Sequence, residues 1–242
     1  MTAPRPFISL TLDSLAENLA LDELLVVSAE EGKSGEILRF WEWQNYAVVL
    51  GAGCKIADDV DEQRCQADGV PILRRSSGGG TVLLGPGCLC YTLVLELESQ
   101  PALQAIRSSY AWILARICEA LSSLHSEIHQ AGISDLAIGD RKFSGSAQQR
   151  KRRYLLHHGT LLYDFDLGRV GRCLRLPARR PEYREARAHE DFLINFPGNA
   201  AEIGRLLQTA WQATEPAPTL PLDQAAALAR DKYLSDDWTS RR

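Results

Sequence analysis

Three stretches of the chain carry residue types suited to chemistry. The first reads Arg74-Arg75-Ser76-Ser77-Gly78-Gly79-Gly80-Thr81-Val82. Three consecutive glycines weaken any helix or strand, but they let the backbone turn and approach a ligand closely. Amide groups in such a turn can converge on an anion, and two guanidinium groups stand just before it. The spacing is neither the phosphate-loop pattern, which needs Gly-Lys-Ser/Thr, nor the dinucleotide fingerprint, which opens a helix. On the glycines alone, a glycine-rich hairpin with two solvated arginines is equally open. The second stretch is Gly139-Asp140-Arg141-Lys142-Phe143-Ser144-Gly145-Ser146-Ala147-Gln148. Lys142 enters a strand from a hairpin turn, and its small neighbours leave room for a ligand. An ammonium is a compact charge with three donors, suited to holding a carboxylate and a phosphate oxygen together. A solvated lysine on an edge strand also fits that segment.

The third stretch is His157-His158-Gly159-Thr160-Leu161-Leu162. Adjacent residues on a strand point to opposite faces, so at most one of these histidines enters a site. Alternation places His158 with Leu156, Thr160 and Leu162, which argues against a metal site built on the pair. Between the first and second stretches, just ahead of the second, Asp135 follows Gly132-Ile133-Ser134. It suits a magnesium ligand if a nucleotide binds, or a turn cap before a strand.

These stretches must be held by regular elements. Residues 7–12 alternate and predict a strand; Ser14-x-x-Glu17 is a capping-box pattern opening a helix over 14–31, with Leu15, Leu19, Ala20 and Leu24 on its apolar face and Gly32 as its stop. Strands are expected at 37–43 and 47–51, a short helix at 58–67, and a strand at 70–75 feeding the glycines. Tyr91, Leu93, Leu95 and Leu97 alternate with Thr92, Val94, Glu96 and Glu98, the pattern of a half-buried strand. Ile106, Tyr110, Ile113, Leu114, Ile117, Leu121 and Leu124 recur at three- and four-residue spacing and predict a helix over 102–124. Gly139-Asp140-Arg141 marks a hairpin, 154–165 a strand interrupted at His157-His158-Gly159, and 199–212 and 223–233 helices separated by Pro216, Pro218 and Pro221. A long helix among strands predicts an α/β or α+β domain.

At 242 residues, 45% hydrophobic and 24% charged, the chain can build a sizeable globular core. No apolar run reaches membrane-spanning length, and the N-terminus lacks a signal-peptide core. The six cysteines, at 54, 65, 88, 90, 118 and 173, form no Cys-x-x-Cys, which argues against a zinc site and for a reducing, cytoplasmic setting. The net charge of −4 is uneven: residues 150–187 hold eleven Lys/Arg against four Asp/Glu, a local +7, so the remainder carries −11. Such a basic stretch could dock an acidic macromolecule, or be a solvated arginine-rich loop. The run Arg150-Lys151-Arg152-Arg153 lacks the aromatic interleaving that base stacking needs, so nucleic acid is not expected as a partner.

Taken in order, Arg-Arg-Ser-Ser-Gly-Gly-Gly-x-Val at 74–82, Asp-Leu at 135–136, Gly-Asp-Arg-Lys-x-Ser-Gly-Ser-Ala at 139–147 and His-His-Gly-Thr-Leu-Leu at 157–162 resemble the lipoate–protein ligase A family. The resemblance covers roughly residues 7–200. It implies a fold shared with biotin ligases, an α/β (α+β) domain with a mainly antiparallel sheet flanked by helices. Residues 1–242 are then expected to form a single catalytic domain without the C-terminal accessory domain of well-known members. The family activates a carboxylic acid with ATP to an acyl-adenylate and passes the acyl group to a lysine of a lipoyl carrier protein. Two anions must be brought within attack distance, which calls for dense positive charge and backbone donors. By resemblance, Lys142 is the catalytic residue, touching both acyl and phosphate oxygens. Arg74, Arg75, Ser77, Gly80, Thr81, Val82, Leu83, Asp135, Ser144 and Ala147 are expected at the ATP or adenylate. Gly79, Gly80, Gly145, His158 and Gly159 are expected at the lipoyl group, with Lys142 between. Lipoate and ATP are the implied substrates, with Mg2+ held by Asp135, and a separate accessory protein is a further implied partner.

The chain departs from the family in having Cys88 after Gly87 and Ser134 before Asp135, where the family has Asn. The rival within the superfamily is an octanoyl- or lipoyltransferase, which needs a cysteine to form a thioester. That cysteine lies in or shortly before the lysine-bearing hairpin, and 131–136 reads Ala-Gly-Ile-Ser-Asp-Leu, without one. Cys90 is expected to face the core. A non-catalytic acyl-binding protein on the same fold is the third reading.

Overall fold

The structure, a computed structural model, describes residues 4–177 and 180–242. Among the described residues, ten strands form two sheets. Strand β1 is Phe7–Ser9, followed by helix α1 (Leu15–Glu30), β2 (Ile37–Glu42), β3 (Ala47–Leu50), α2 (Ile56–Asp59), α3 (Glu62–Ala67), β4 (Ile72–Arg74), β5 (Val82–Leu84) and β6 (Cys88–Glu96). Helix α4 (Ile106–Leu121) leads to β7 (Ile128–Ala131), β8 (Asp135–Ile138), β9 (Arg141–Arg150) and β10 (Tyr154–Leu162). Then come α5 (Gly168–Cys173), α6 (His189–Phe192), α7 (Ala200–Ala210), α8 (Leu222–Leu228) and α9 (Asp236–Thr239). The large sheet has the order β1-β2-β6-β10-β9-β8-β7 and is antiparallel except for the β1–β2 pair. The small sheet is β4-β3-β5.

Alternation sends side chains to two cores, one on each face of the large sheet. Trp41, Cys90, Val94 and Leu156 pack toward α1 and the small sheet. Phe40, Leu93, Leu155 and Leu161 pack toward α4 and α7. The mainly antiparallel sheet with flanking helices is the architecture expected from the sequence.

Several elements differ from the sequence expectation, each for a local reason. Strand β1 stops at Ser9 because the Asn18 amide captures Leu12, accepting from its N–H at 3.0 Å and donating to its carbonyl at 2.9 Å. Ser14 occupies the N-cap of α1, but its side chain makes no capping bond, so the capping box is absent. The expected 58–67 helix is two short helices, broken where Val60 is extended and buried. Strand β6 is buried on both faces through Leu95, because it lies inside the sheet between β2 and β10 with a core on either side. Glu98 leaves it for a 3-10 turn. Strand β10 runs through His157-His158-Gly159 without interruption, paired on both edges. Among the described residues, no helix is long and apolar enough to cross a membrane.

Candidate active site

The glycine loop joins β4 to β5 and folds back over the small sheet's edge of a cavity. Its shape is set by Arg75. That guanidinium is 7% exposed and donates to Ser77 Oγ (3.0 Å), Val49 O (3.2 Å), Gly78 O (2.6 Å) and Gly80 O (2.8 Å). Burial pulls its pKa down to about 10, which leaves it charged at neutral pH. Gly79 takes φ +83°, and a Cβ there would lie 2.9 Å from Arg75 Nη2. Gly51 passes so close beneath that a Cβ would strike the Gly79 carbonyl. These two glycines are required by backbone conformation and by close approach respectively. The Thr81 hydroxyl donates to Asp59 Oδ2 at 2.5 Å, tying the far end of the loop to α2.

Lys142 reaches the same cavity from the large sheet. Strict alternation would put Lys142 and Gly145 on opposite faces. The β8–β9 ladder instead shifts register, pairing Ala137 with Lys142 and Leu136 with Ser144, so Phe143 is an extra residue. Phe143 packs in the α4-side core with Leu136 and Leu161, the residues opposite Ser144. The bulge re-aims Lys142 across Gly145, whose missing Cβ would sit 2.7 Å from the Lys142 ammonium. The ammonium is 2.8 Å from Asp135 Oδ1, with the two side chains 26% and 9% exposed. Asp135 Oδ2 accepts from the Tyr183 hydroxyl at 2.8 Å.

The two sheets and α1 therefore enclose a cavity with a polar end at Asp135, Lys142 and Gly145 and an apolar end at Leu19, Trp41, Val49 and Leu84. Gly79, Gly80, Thr81, Val82, Ala147, His158 and Gly159 line it as well. It has about 140 Å³ of open space, well beyond the roughly 10–15 Å³ that one water needs. His158 faces this cavity and its Nε2 is 2.6 Å from Ser77 Oγ. His157 points the other way, fully buried, with its pKa lowered to about 3 by burial and by the neighbouring His158.

Four more residues expected at the ligands, Arg74, Ser77, Leu83 and Ser144, do not line this cavity. Arg74 is fully buried and donates to Gly51 O (2.9 Å), Cys54 O (2.7 Å) and Thr239 O (2.7 Å), a brace between the Gly51 turn and α9. Leu83 is buried in the core between Val82 and Leu84, which line the cavity. Ser144 is buried on the opposite face of β9, and Ser77 is buried behind the loop, between Arg75 and His158. Asp135 has one oxygen on Lys142 and one on Tyr183, and among the described residues no three His, Cys, Asp or Glu gather to hold a metal ion. A resident magnesium cage does not fit these residues. Cys90 is buried and lines the cavity's wall as well as the core. The neighbouring Cys88 thiol, and then burial, push its pKa well above the usual thiol value. All six cysteines are free.

Residues that the sequence patterns did not place at a site also line the cavity: Leu19 and Asp22 from α1, Trp41 from β2 and Val49 from β3. Asp22 and Asn18 sit four residues apart on a helix, a spacing indistinguishable in sequence from a solvated face; only their burial marks them. The basic stretch is also split in space. Arg150 donates to Leu103 O and Gln104 O, and nine residues of β9 at about 3.3 Å each put Lys151 roughly 30 Å from Lys142. Its other half wraps the Lys142 end, with Ile194 N bonded to Lys142 O, Arg187 paired with Asp140, and His189 bonded to Arg175 O. Arg179 lies outside the described residues.

A cleft that joins a polar end bearing Lys142 and Asp135 to an apolar end matches the polarity of an amphipathic acid. The chain belongs to the lipoyl protein ligase A/B catalytic domain family, whose family model matches residues 14–195. It is 25% identical over 232 residues to a Mycoplasma pneumoniae protein named probable lipoate-protein ligase A, covering 91% of this chain and 67% of that one. It is 27% identical over 209 residues to the octanoyltransferase LipM of Clostridioides difficile, covering 78% and 76%. Among solved structures, the fold matches a bipartite lipoate protein ligase from Thermoplasma acidophilum, described with its E2 lipoyl domain, at TM-score 0.85 and 21% identity, over 99% of this chain and 97% of that one. It matches Ta0514 of the same organism with bound lipoic acid at TM-score 0.84 and 19% identity, over 99% and 100%. A lipoate-protein ligase A bound with ATP matches at TM-score 0.81 and 20% identity, over 98% and 99%.

Proposed function

We propose that the protein is an ATP-dependent lipoate–protein ligase, which condenses lipoate or a similar acid with ATP to an acyl-adenylate and then acylates a lysine of a lipoyl carrier protein. The observation that carries the reading is the placement of the Lys142 ammonium across Gly145, facing a cavity shared with the triple-glycine turn. The apolar end takes the acyl chain, and the carboxylate comes to rest beside Lys142. The loop amides at Gly80, Thr81 and Val82 take phosphate oxygens of ATP, held in place by Arg75 and by the Thr81–Asp59 bond. Attack of the carboxylate oxygen on the α-phosphorus releases pyrophosphate. Lys142 stabilises the negative charge that builds on both reacting groups as they approach. It must leave Asp135 part of the way to do so, and the Tyr183 hydroxyl keeps that carboxylate anchored when it does. Magnesium arrives with the nucleotide's phosphates, since it is usually held by few protein ligands. The carrier's own lysine is the nucleophile of the second step. Resemblance to solved structures with bound lipoic acid and with ATP supports both substrates.

The second reading is an octanoyltransferase, favoured by relatives of that name at similar identity, 27% against 25%, and by the presence of Cys90 in the cavity wall. A thioester-forming cysteine needs its thiolate; the buried, raised-pKa Cys90 thiol is poorly suited to that. The test is to offer a lipoyl carrier domain two donors: free lipoate with ATP and magnesium, and octanoyl-carrier without ATP. Ligation from the first and none from the second supports the ligase, and Cys90→Ser should retain activity, as expected where the thiol has no covalent role. Transfer from octanoyl-carrier without ATP, abolished by Cys90→Ser, would establish the transferase.

A further inference from the structure

Helix α1 buries Asn18 and Asp22 completely or nearly so, and the neighbouring strand β2 buries Arg39 against them. A carboxylate taken out of water costs several kcal/mol unless it is paired and hydrogen-bonded. Here Arg39 Nη1 donates to Asp22 Oδ1 at 2.6 Å, and Arg39 Nη2 donates to Asn18 Oδ1 at 2.6 Å and to Leu10 O at 3.1 Å. Burial pushes the Asp22 carboxyl upward, but Arg39 and His158 outweigh it and hold it below the ordinary carboxylate value. Closing α1 onto the sheet would need only the first oxygen. The second, Oδ2, is 3.4 Å from His158 Nδ1. His158 Nε2 is 2.6 Å from Ser77 Oγ, and that oxygen accepts from Arg75 Nε at 3.0 Å. Arg75 in turn grips the carbonyls of Gly78 and Gly80. An unbroken line of polar contacts thus runs from the centre of α1 to the glycine turn on the far side of the cavity.

We propose that Asp22, held by Arg39, is a positioning residue for the glycine turn, acting through His158, Ser77 and Arg75. The direction of each bond follows from what each group can donate. An arginine Nε only donates, so Ser77 Oγ accepts from it and has its own proton free for His158 Nε2. A carboxylate only accepts, so Asp22 takes the proton on His158 Nδ1. The line is satisfied by the neutral imidazole protonated on Nδ1. With Asn in place of Asp22, the amide N–H can face Nδ1, the proton moves to Nε2, and Ser77 Oγ receives two donors while its own proton loses its partner. Arg75 Nε then loses a well-oriented acceptor, and the turn that is to receive the phosphates loosens. This inference rests on the proposed acid activation for its kinetic consequence, but not for the tautomer.

Two measurements test it on the full chain. In 15N-histidine-labelled protein, with the His158 ring assigned by its loss in His158→Gln, the expected state is Nδ1 protonated and Nε2 bare. Asp22→Asn should invert this, and Asp22→Glu should retain it. In adenylate formation from ATP and acid, Asp22→Asn and Ser77→Ala should each lower kcat/KM about tenfold, and the double variant also about tenfold, because both cut one line. Asp22→Glu should recover most of the rate. An unprotonated Nδ1 in the parent protein, a tautomer indifferent to Asp22→Asn, or a double variant down about a hundredfold, as independent sites would give, overturns the proposal. If Asp22→Asn does not fold, the cycle is run with His158→Gln and Ser77→Ala under the same criterion. If the parent protein forms no adenylate, the proposed function fails while the nitrogen shifts still decide the relay.

Discussion

Lys142→Met removes the ammonium while keeping a stem that packs over Gly145. Two substrate anions lose a positive charge at about 4 Å, worth about 4 kcal/mol for each pair at an effective dielectric of about 20. The side chain is 26% exposed, and halving the figure for solvent leaves about 2 kcal/mol per anion, or about 4 kcal/mol for both. The change also leaves Asp135 buried without its partner, in the path of the same anions. The expected result is a loss of about a thousandfold or more in acid-dependent pyrophosphate release, at about 1.4 kcal/mol per factor of ten. Lys142→Met with Asp135→Asn removes the stranded carboxylate and should recover about tenfold, no more. A Lys142→Met protein within tenfold of the parent would refute the role assigned to the ammonium. Full recovery in the double variant would refute it too, since Lys142 would then do no more than neutralise Asp135.

Gly79→Ala forces a Cβ against Arg75 Nη2 at φ +83° and should cost about 1–3 kcal/mol in a urea titration, whereas Gly53→Ala, with nothing within 4 Å, should be close to neutral. Acid stability should carry the mark of His157: its folded pKa is about 3 against 6.5, so the unfolded chain takes up a proton first, and stability present above pH 6.5 is lost as pH falls toward 3. The slope from this residue is up to about 1.4 kcal/mol per pH unit, and His157→Gln should flatten that limb of the urea-midpoint profile between pH 6.5 and pH 4. Reversing Arg175 and Arg180, exposed on the segment that wraps the Lys142 end, should raise the carrier KM about threefold each, while reversing Lys151 and Arg152 at the distant hairpin should leave it unchanged. Equal effects at the two places would remove the spatial distinction.

Much of this is legible in the sequence. Gly139-Asp140-Arg141 makes the hairpin it advertises, with Gly139 at φ +57°, and the one-residue alternation of His157 and His158 sends them to opposite faces. The three chemistry-bearing stretches do line one cavity, because β9 and β10 are adjacent strands and the glycine turn folds over them. What was hidden depends on partners far along the chain. Strict alternation misplaces Lys142 relative to Gly145; the bulge at Phe143 corrects it, and a bulge follows from how β8 and β9 register. Arg74 and Arg75 are neighbours in sequence with unlike environments, one bonded to Thr239 and the other to the glycine turn. Asp22 and Arg39 read as ordinary charged residues until the fold buries them against each other.

In the proposed ligase, Lys142 and the glycine turn bring a carboxylate and ATP together to react. The most direct measurement is to incubate the purified protein with ATP, magnesium and lipoate in the absence of any carrier, and to read the bound product by mass spectrometry. Lipoyl-adenylate with stoichiometric pyrophosphate is the predicted result, and Lys142→Met should lack it. Failure of the parent protein to form adenylate, together with ATP-independent movement of an octanoyl group between carriers, would contradict the account.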